Sequence, residues 1–294
     1  MEESVLKRVA VVDIGSNTVK LFVYEVKGEK IKKIHSESIY LRLLNFVEGG
    51  ELSKEGIEKL KLVLESFKES LKELKPDCTI AVGTYVLRVI ENRERVLKEL
   101  SPLFKIQVLS GEEEAYYSAL GALLDVKVKE GLLFDIGGGS LEVCEIREGK
   151  PRFCKSYPLG TLEFKEAVKE GRVVDPIKIR WKVRHHVNPY DFSIYESDEL
   201  IGVGGSVRAL KKVSGKKRIK KKQLKEITER LLKMSPEEIS RAYGVSIKRA
   251  QTVAVAAVVA LELMEIFRCK ELVISKYGIR EGLVYDRVVL KGEC

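Results

Sequence analysis

The feature that most constrains the fold is an internal repeat of an Asp-Ile-Gly turn. Residues 10–18 (AVVDIGSNT) and residues 132–140 (LLFDIGGGS) share the same order: an apolar run, Asp-Ile-Gly, small residues and a hydroxyl. The offset from Asp13 to Asp135 is 122 residues, whereas solenoid repeats have periods of about 20–50 residues. The repeat therefore predicts two structurally related domains, each opening with a β-hairpin.

Both halves of the chain alternate β-rich runs with helical periodicity, which predicts α/β domains. Strands are expected at residues 9–12, 20–26, 31–40, 79–82, 106–109, 141–147, 152–158, 200–202 and 271–274. Helices are expected at residues 57–74, 112–124, 161–169, 177–187, 247–267 and 280–290, and after the capping box at residues 235–238. Ser53 is the expected cap of the first helix, which should end before Pro76. The charged stretch 125–130 divides the chain into domains 1–125 and 126–294, with the last helix free to pack on the first domain.

Composition excludes several classes of protein. Hydrophobic residues make up 45% of the chain, which is too many for a disordered protein. The longest apolar run, residues 253–261, is far shorter than the roughly 20 residues of a membrane span, and the first residues lack a signal peptide, so we expect a cytoplasmic protein without membrane contact. Many Lys and Glu with few amides are typical of a thermophile.

Cysteine and histidine usage argues against a zinc site. The five cysteines are odd in number and contain no C-x-x-C pair, so in an unsecreted chain we expect reduced thiols. His185 and His186 are neighbours in sequence and point apart on a helix, which disfavours a shared metal.

Three glycine-rich turns favour phosphate binding, at residues 13–18, 135–140 and 202–206. Glycine lets a ligand approach the backbone closely, and successive N–H groups form an anion-binding concavity. One such turn alone is more typical of a tight hairpin, but three in one chain favour the functional interpretation. The predicted phosphate-binding residues are Gly15, Ser16, Asn17, Thr18, Gly137, Gly138, Gly139, Ser140, Gly204, Gly205 and Ser206.

Two aspartates end buried strands beside the first two turns. The carboxylates of Asp13 and Asp135 would repel phosphate, but they can hold Mg²⁺, which bridges to phosphate oxygens. Both are predicted metal ligands, Asp135 the stronger candidate, with Mn²⁺ as the alternative ion. The net charge of +9 also favours anionic partners.

Six motifs in order resemble the exopolyphosphatase and guanosine pentaphosphate phosphatase (Ppx/GppA) family, within the superfamily of sugar kinases, heat-shock ATPases and actin. They are VVDIGSNTVKL (11–21), VGTYVLRVIEN (82–92), SGEEEA (110–115), LLFDIGGGSLE (132–142), GVGGSVRAL (202–210) and SKYGIREGLVY (275–285). The resemblance covers nearly the whole chain. It implies two ribonuclease-H-like, actin-like ATPase domains flanking a cleft, in the family's short two-domain form.

The resemblance also assigns roles to individual residues. Glu114 matches the family's catalytic carboxylate that activates water, although glutamates 112–114 could simply favour a helix N-terminus. Glu142 matches a carboxylate that reaches metal or water, with a solvated strand position as the alternative. Arg88 matches an arginine that clamps the phosphate chain, with a surface ion pair as the alternative. Arg280 is a further candidate for clamping phosphate, with pairing to Glu281 or to an acid at the domain interface as the alternative.

The reaction implied is Mg²⁺-dependent hydrolysis of a terminal phosphoanhydride, on inorganic polyphosphate or on guanosine pentaphosphate (pppGpp). A small-metabolite kinase and a non-catalytic nucleotide sensor or actin-like scaffold are the alternatives. Lys20, the segment 43–46 and Gln251 depart from the family pattern, so substrate contacts there are left open. The basic stretch 211–222 either is a solvated loop or guides the polyanion; because it lacks interleaved aromatics, nucleic acid is not expected. Homodimerisation is left open.

Overall fold

The computed structural model describes residues 5–194 and 196–294 of the chain. It separates into two compact units, one comprising the chain up to Tyr117 together with Arg280–Cys294, the other Ser118–Ile279. The division thus falls inside a helix, ahead of the boundary expected at residue 125. The charged stretch 125–130 follows the helix Gly111–Asp125, whereas the division between the two units lies within that helix, between Tyr117 and Ser118.

The first unit is built on a five-stranded sheet. Its strands are β1 (Lys7–Ile14), β2 (Thr18–Lys27), β3 (Lys30–Tyr40), β6 (Cys78–Gly83) and β7 (Ile106–Val108), with β4 (Val47–Glu48) and β5 (Glu51–Leu52) forming a separate small hairpin. The sheet order is β3-β2-β1-β6-β7. The first three strands are antiparallel, while β1, β6 and β7 run parallel.

Four helices begin in this part of the chain: α1 (Lys54–Leu74), α2 (Tyr85–Val89), α3 (Arg93–Leu100) and α4 (Gly111–Asp125). Ser53 caps α1 by accepting a hydrogen bond from the Gly56 N–H, as its position before the apolar periodicity predicts. Residues Ile57, Leu60, Leu64 and Phe67 are buried on one face, and Lys75 ends the helix in the left-handed conformation before Pro76. The predicted helix is confirmed.

The second unit repeats this strand order. Its six-stranded sheet runs β10 (Lys150–Tyr157), β9 (Leu141–Arg147), β8 (Gly131–Ile136), β13 (Glu199–Val203), β15 (Glu271–Ile274), β14 (Arg218–Lys220). As before, three antiparallel strands are followed by parallel ones, with β14 added antiparallel at the edge. The order matches that of a ribonuclease-H-like domain, so the predicted pair of related α/β domains is confirmed.

A long apolar helix forms the core of the second unit. The helices here are α5 (Pro176–His186), α6 (Gly205–Ser214), α7 (Lys221–Leu231), α8 (Pro236–Tyr243) and α9 (Ile247–Ile266). The side chains of α9 are buried without a break from Thr252 to Met264, and α5, α6, α7 and α8 pack against this helix. No single helix of the described chain is long and apolar enough to cross a bilayer; α8 and α9 together meet those criteria, but the pair is bent by 100°.

One predicted helix is wrong and several were missed. Residues 161–169 form a 3₁₀ turn (Lys165–Ala167) that leads into the small hairpin of β11 (Val168–Lys169) and β12 (Arg172–Val173). Helices α2, α3, α6 and α7 were not predicted. The final helix, α10 (Ile279–Val284), continues as a π-helical segment through Leu290, and from Arg280 onward it belongs to the first unit.

The expectation of reduced thiols is wrong for four of the five cysteines. Cys144 and Cys154 face each other in the β9–β10 register and form a disulfide, and Cys78 at the start of β6 is bonded to Cys294. Spacing in sequence could not reveal either pair, because sheet pairing and the path of the C-terminal segment bring them together. Cys269 remains a thiol, and burial raises its pKa to about 12.

Candidate active site

The two glycine hairpins close in the same way. The Gly15 N–H donates to the Thr18 carbonyl at 3.1 Å, and 122 residues later the Gly137 N–H donates to the Ser140 carbonyl at 3.0 Å. Within the described chain, the buried hydroxyl of Ser16 has no hydrogen-bond partner. Since buried hydroxyls are nearly always hydrogen-bonded, this oxygen marks the first turn as a place for a ligand.

The first turn is braced by its neighbours in the first unit. The backbone carbonyl of Asn17 accepts from the Leu41 and Arg42 N–H groups, both at 3.0 Å. The Thr84 N–H donates to the Ile14 carbonyl just before the turn. Asn17 and Thr18 are buried. The turn is therefore held in shape by strands and loops on both sides.

Asp13 is neutralised by an arginine from the far end of the chain. The Arg280 guanidinium donates to Asp13 Oδ2 at 3.0 Å, and both side chains are buried. Burial alone would lower the pKa of Arg280, but Asp13 and Glu281 outweigh it and raise that pKa. Arg280 thus pairs with an acid of its own unit, which answers the question left open by the sequence. A carboxylate engaged in this way does not suit the predicted metal-ligand role.

A second pair of buried polar groups lies beside this one. The Tyr24 hydroxyl donates to Glu281 Oε1 at 2.6 Å, and burial followed by the charge of Glu281 raises the pKa of Tyr24. The Arg280 guanidinium also lies 4.2 Å from the centre of the Phe22 ring. Together these contacts attach α10 to β1 and β2 next to the first turn.

Glu114 and Arg88, both predicted from the sequence, are in direct contact. Arg88 Nη1 donates to Glu114 Oε2 at 3.0 Å and to the Leu109 carbonyl at 3.0 Å. The side chain of Glu114 is only 13% exposed. Its neighbour Glu113 instead caps α4, exchanging hydrogen bonds with Ser110 in a capping box. The structure therefore separates a helix-capping glutamate from one that is held by an arginine.

Asp135 and Glu142 lie directly opposite each other on β8 and β9. Ser118 donates to Asp135 Oδ2, and Ser156 donates to Glu142 Oε1 at 2.8 Å. Residues paired in this way project to the same face, with Cβ atoms about 5 Å apart, and like charges there are destabilising. Glu142 is 1% exposed, so the alternative of a solvated strand position does not hold.

The facing pair Asp135 and Glu142 suits a divalent cation. In residues 5–194 and 196–294 no group of three or more Asp, Glu, His or Cys could hold a metal ion. Mg²⁺ needs fewer protein ligands, because it is commonly bound by one or two carboxylates plus water and substrate phosphates. Asp135 and Glu142 provide two oxygen donors next to a glycine turn. We therefore regard them, without Asp13, as the residues that suit Mg²⁺.

The second turn is held by a segment that sequence reasoning missed. The Thr161 N–H donates to the Gly137 carbonyl at 2.9 Å, and the Leu162 N–H donates to the Gly138 carbonyl at 2.8 Å. A Cβ at Gly160 would lie 2.3 Å from the backbone of Gly138 and Gly139. The available signal was the Pro-Leu-Gly-Thr sequence at 158–161, which follows β10 and lacks helical periodicity.

The third turn joins the second at the end of β13. Gly204 has φ +113°, and a Cβ there would lie 2.6 Å from the Ile136 carbonyl oxygen and 3.0 Å from Asp135 Oδ1. Only glycine permits this approach at that backbone angle. Gly205 then begins α6, whose N-terminal N–H groups favour an anion. Ser206 is buried and bonded to Thr252 Oγ1 at 2.7 Å, so its hydroxyl serves packing.

Arg249 is a further candidate for binding phosphate, and the sequence analysis did not identify it. A Cβ at Gly205 would lie 2.3 Å from the Arg249 guanidinium carbon, which places this cation against the N-terminus of α6.

The basic stretch 211–222 is partly neutralised within the second unit. Lys217 pairs with Asp125, Lys221 pairs with Glu265, and Arg218 pairs with both Glu199 and Glu271. These ion pairs give part of the stretch a structural role at the edge strand β14.

Comparison with known proteins identifies the family. The model of the Ppx/GppA phosphatase family matches residues 22–290. The chain belongs to the Ppx/GppA phosphatase family. A family member from Aquifex aeolicus has a crystal structure with a TM-score of 0.84, 25% identity, and coverage of 98% of this chain and 99% of that one.

Two curated relatives of this Ppx/GppA chain carry names of enzymes. Exopolyphosphatase 1 of Mycobacterium tuberculosis is 26% identical over 96% of this chain and 88% of its own length. The guanosine-5'-triphosphate,3'-diphosphate pyrophosphatase of Pseudoalteromonas atlantica is 24% identical over 94% of this chain and 58% of its own length. As a member of a phosphatase family, the chain is a hydrolase.

Proposed function

We propose that this Ppx/GppA protein removes the terminal phosphate from inorganic polyphosphate or from pppGpp in a Mg²⁺-dependent reaction. The observation that carries the proposal is the facing pair Asp135 and Glu142 beside two glycine turns. Paired carboxylates next to anion-binding backbone suit a metal-bound phosphate chain. The curated relatives support the same substrate classes through their names.

The hydrolytic step assigns Glu114 as general base. Its carboxylate accepts a proton from a water molecule as the water oxygen forms a bond to the terminal phosphorus. The bond from that phosphorus to the bridging oxygen breaks, and orthophosphate and the shortened chain are released. Arg88, which donates a hydrogen bond to Glu114 Oε2, orients the carboxylate.

The remaining residues bind and neutralise the phosphates. Asp135 and Glu142 would hold Mg²⁺, and the bound ion would supply positive charge to the phosphate oxygens. The glycine turns at 15–18, 137–140 and 204–205 donate backbone N–H groups, with the unpartnered Ser16 hydroxyl as an additional donor. Asp13 acts indirectly, by fixing Arg280 beside the first turn.

Polyphosphate is the favoured substrate of the two. The net charge of +9 suits a long polyanion. A cytoplasmic location also belongs to the proposal. Disulfides are unusual in the cytoplasm except in hyperthermophiles. The two disulfides are therefore compatible with a cytoplasmic protein of thermophile-like composition.

The test is phosphate release from long-chain polyphosphate and from pppGpp, assayed side by side with and without Mg²⁺. We expect Mg²⁺-dependent release, faster from polyphosphate. Absence of release from both substrates would overturn the proposal.

A further inference from the structure

Helix α5 exposes an aromatic and cationic face that the hydrolytic reaction does not use. Ile179 and Val183 turn inward and are fully buried, whereas the opposite side carries Ile177, Trp181 and His185 at successive four-residue intervals. Trp181 is 61% exposed and Ile177 is 77% exposed. Large exposed aromatic side chains beside one another mark interaction surfaces more often than isolated ones.

Trp181 forms a flat platform. Its ring is stacked on that of His185, with ring centres 5.0 Å apart and the planes only 10° from parallel. One face of the indole is thus supported by imidazole while most of the side chain remains in solvent. Such a supported ring suits stacking by a further planar group, the interaction by which single-stranded nucleic acids bind aromatic side chains.

Two arginines flank the platform and are held in place from below. Arg184 donates to Glu262 Oε1 of α9 through Nε at 2.6 Å and through Nη2 at 2.5 Å, and Arg180 Nε lies 3.9 Å from Glu262 Oε2. Glu262 is 3% exposed, yet the arginine side chains remain 45% and 63% exposed. The buried acid therefore orients two guanidinium groups that still face solvent.

The charge of the helix selects the type of partner. Residues 176–186 contain four Lys or Arg and no acid. Lys178 pairs with Glu166. Arg180 and Arg184 share Glu262 while remaining about half exposed, so the face favours an anionic partner over a second copy of itself. Inorganic polyphosphate would use the cations but not the stacked rings. A partner that carries planar rings and phosphates close together, as a nucleic acid does, would contact both the cations and the stacked rings.

We propose that this face of α5, formed by Ile177, Arg180, Trp181, Arg184 and His185, binds single-stranded nucleic acid. A base stacks on Trp181, and the adjacent phosphates are bound by Arg180 and Arg184. The face extends over nine residues, or about 12 Å, which accommodates two to three nucleotides. This inference does not depend on the proposed hydrolysis. It revises the expectation against nucleic acid, which considered only the stretch 211–222.

The chain offers a local probe, because Trp181 is its only tryptophan. Titration of the full-length protein with a single-stranded 12-nucleotide oligoadenylate should quench tryptophan fluorescence to saturation. Two phosphate contacts predict a slope of about −1.4 for log affinity against log salt concentration. Inorganic polyphosphate of matched charge should leave the fluorescence nearly unchanged.

Variants separate stacking from charge. Trp181→Leu should weaken binding of a labelled oligoadenylate, followed by anisotropy, by about fivefold or more. Arg180→Gln should lower affinity and make the salt slope shallower. Tyr190→Leu is the matched control, since Tyr190 is 82% exposed but lies beyond the helix, and it should bind as the wild type does.

Several results would overturn the proposal. The first is that Trp181→Leu binds oligoadenylate with the same affinity as the wild type. The second is that polyphosphate quenches the Trp181 fluorescence as strongly as oligoadenylate does. The third is that the fluorescence is quenched only when the protein self-associates or when anionic lipid vesicles are added. An unchanged far-ultraviolet circular dichroism spectrum establishes that the Trp181→Leu protein is folded in each comparison.

Discussion

Asp135 and Glu142 face each other across β8 and β9, whereas the equivalent positions of the first hairpin hold Asp13 and Lys20. The repeat thus preserves the aspartate and changes the charge opposite it. In the first unit Asp13 is also paired with Arg280. Two carboxylates in one place need a cation, while an aspartate with basic neighbours does not. We therefore expect the second hairpin to bind metal and the first to bind phosphate without it.

Glu142→Gln should weaken Mg²⁺ binding by about tenfold or more, because one of two charged donors is lost. The measurement is calorimetric titration of Mg²⁺, and of Mn²⁺ as a second probe, into protein without substrate. Ser156→Ala removes only the hydrogen bond to Glu142 and should have a smaller effect. Unchanged metal affinity in Glu142→Gln would rule out Glu142 as a ligand.

Asp13→Asn should leave Mg²⁺ affinity unchanged but destabilise the fold, since it strands the buried Arg280 charge. Breaking a buried pair costs about 3–5 kcal/mol, and removing both partners costs much less. In urea unfolding, the double variant should therefore lose much less free energy of unfolding than the sum of the losses in Asp13→Asn and Arg280→Met. Additive losses, or a drop in metal affinity in Asp13→Asn, would contradict the assignment.

Gly160→Ala should raise the KM for polyphosphate several-fold. Its Cβ would overlap the backbone of Gly138 and Gly139, so the second turn must move. Gly244→Ala is the control: φ there is +63° and no atom lies within 4 Å of the added carbon. It should cost about 1 kcal/mol of stability without a change in KM. Equal effects of the two variants on KM would contradict a role for Gly160 in bracing the turn.

The disulfides should contribute unequally to stability. Loop-closure entropy gives about 5 kcal/mol for the 216-residue separation of Cys78 and Cys294, and about 3 kcal/mol for the 10-residue separation of Cys144 and Cys154. Thermal unfolding of Cys78→Ser and Cys144→Ser should follow that order. Titration of five free thiols in unreduced, denatured protein would show instead that neither bond forms.

The sequence was sufficient to predict features governed by local periodicity. The Asp-Ile-Gly repeat predicted the two related units, and the apolar spacing after Ser53 predicted α1 with its cap. The helix expected at 161–169 does not form: the Thr161 and Leu162 N–H groups hold the second glycine turn, and Val168–Lys169 pair with Arg172–Val173 as a hairpin. Tertiary contacts there override local preference.

Site features that depend on distant partners could not be read from the chain. Asp13 and Arg280 are 267 residues apart, so their pairing was invisible although both lie in recognised motifs. Arg88 and Glu114 were each predicted, but not their contact. The facing of Asp135 and Glu142, by contrast, follows from a tight hairpin between them and was accessible from their spacing.

The central claim is that Glu114 activates water in a phosphohydrolase. It is tested most directly by the rate of phosphate release from long-chain polyphosphate at saturating Mg²⁺, comparing wild type, Glu114→Gln and the neighbouring Glu113→Gln. Loss of a general base lowers kcat by about 10²–10⁴-fold. We predict a loss of that size for Glu114→Gln, with unchanged Mg²⁺ affinity, and a near-wild-type kcat for Glu113→Gln. Undiminished release by Glu114→Gln would contradict the account.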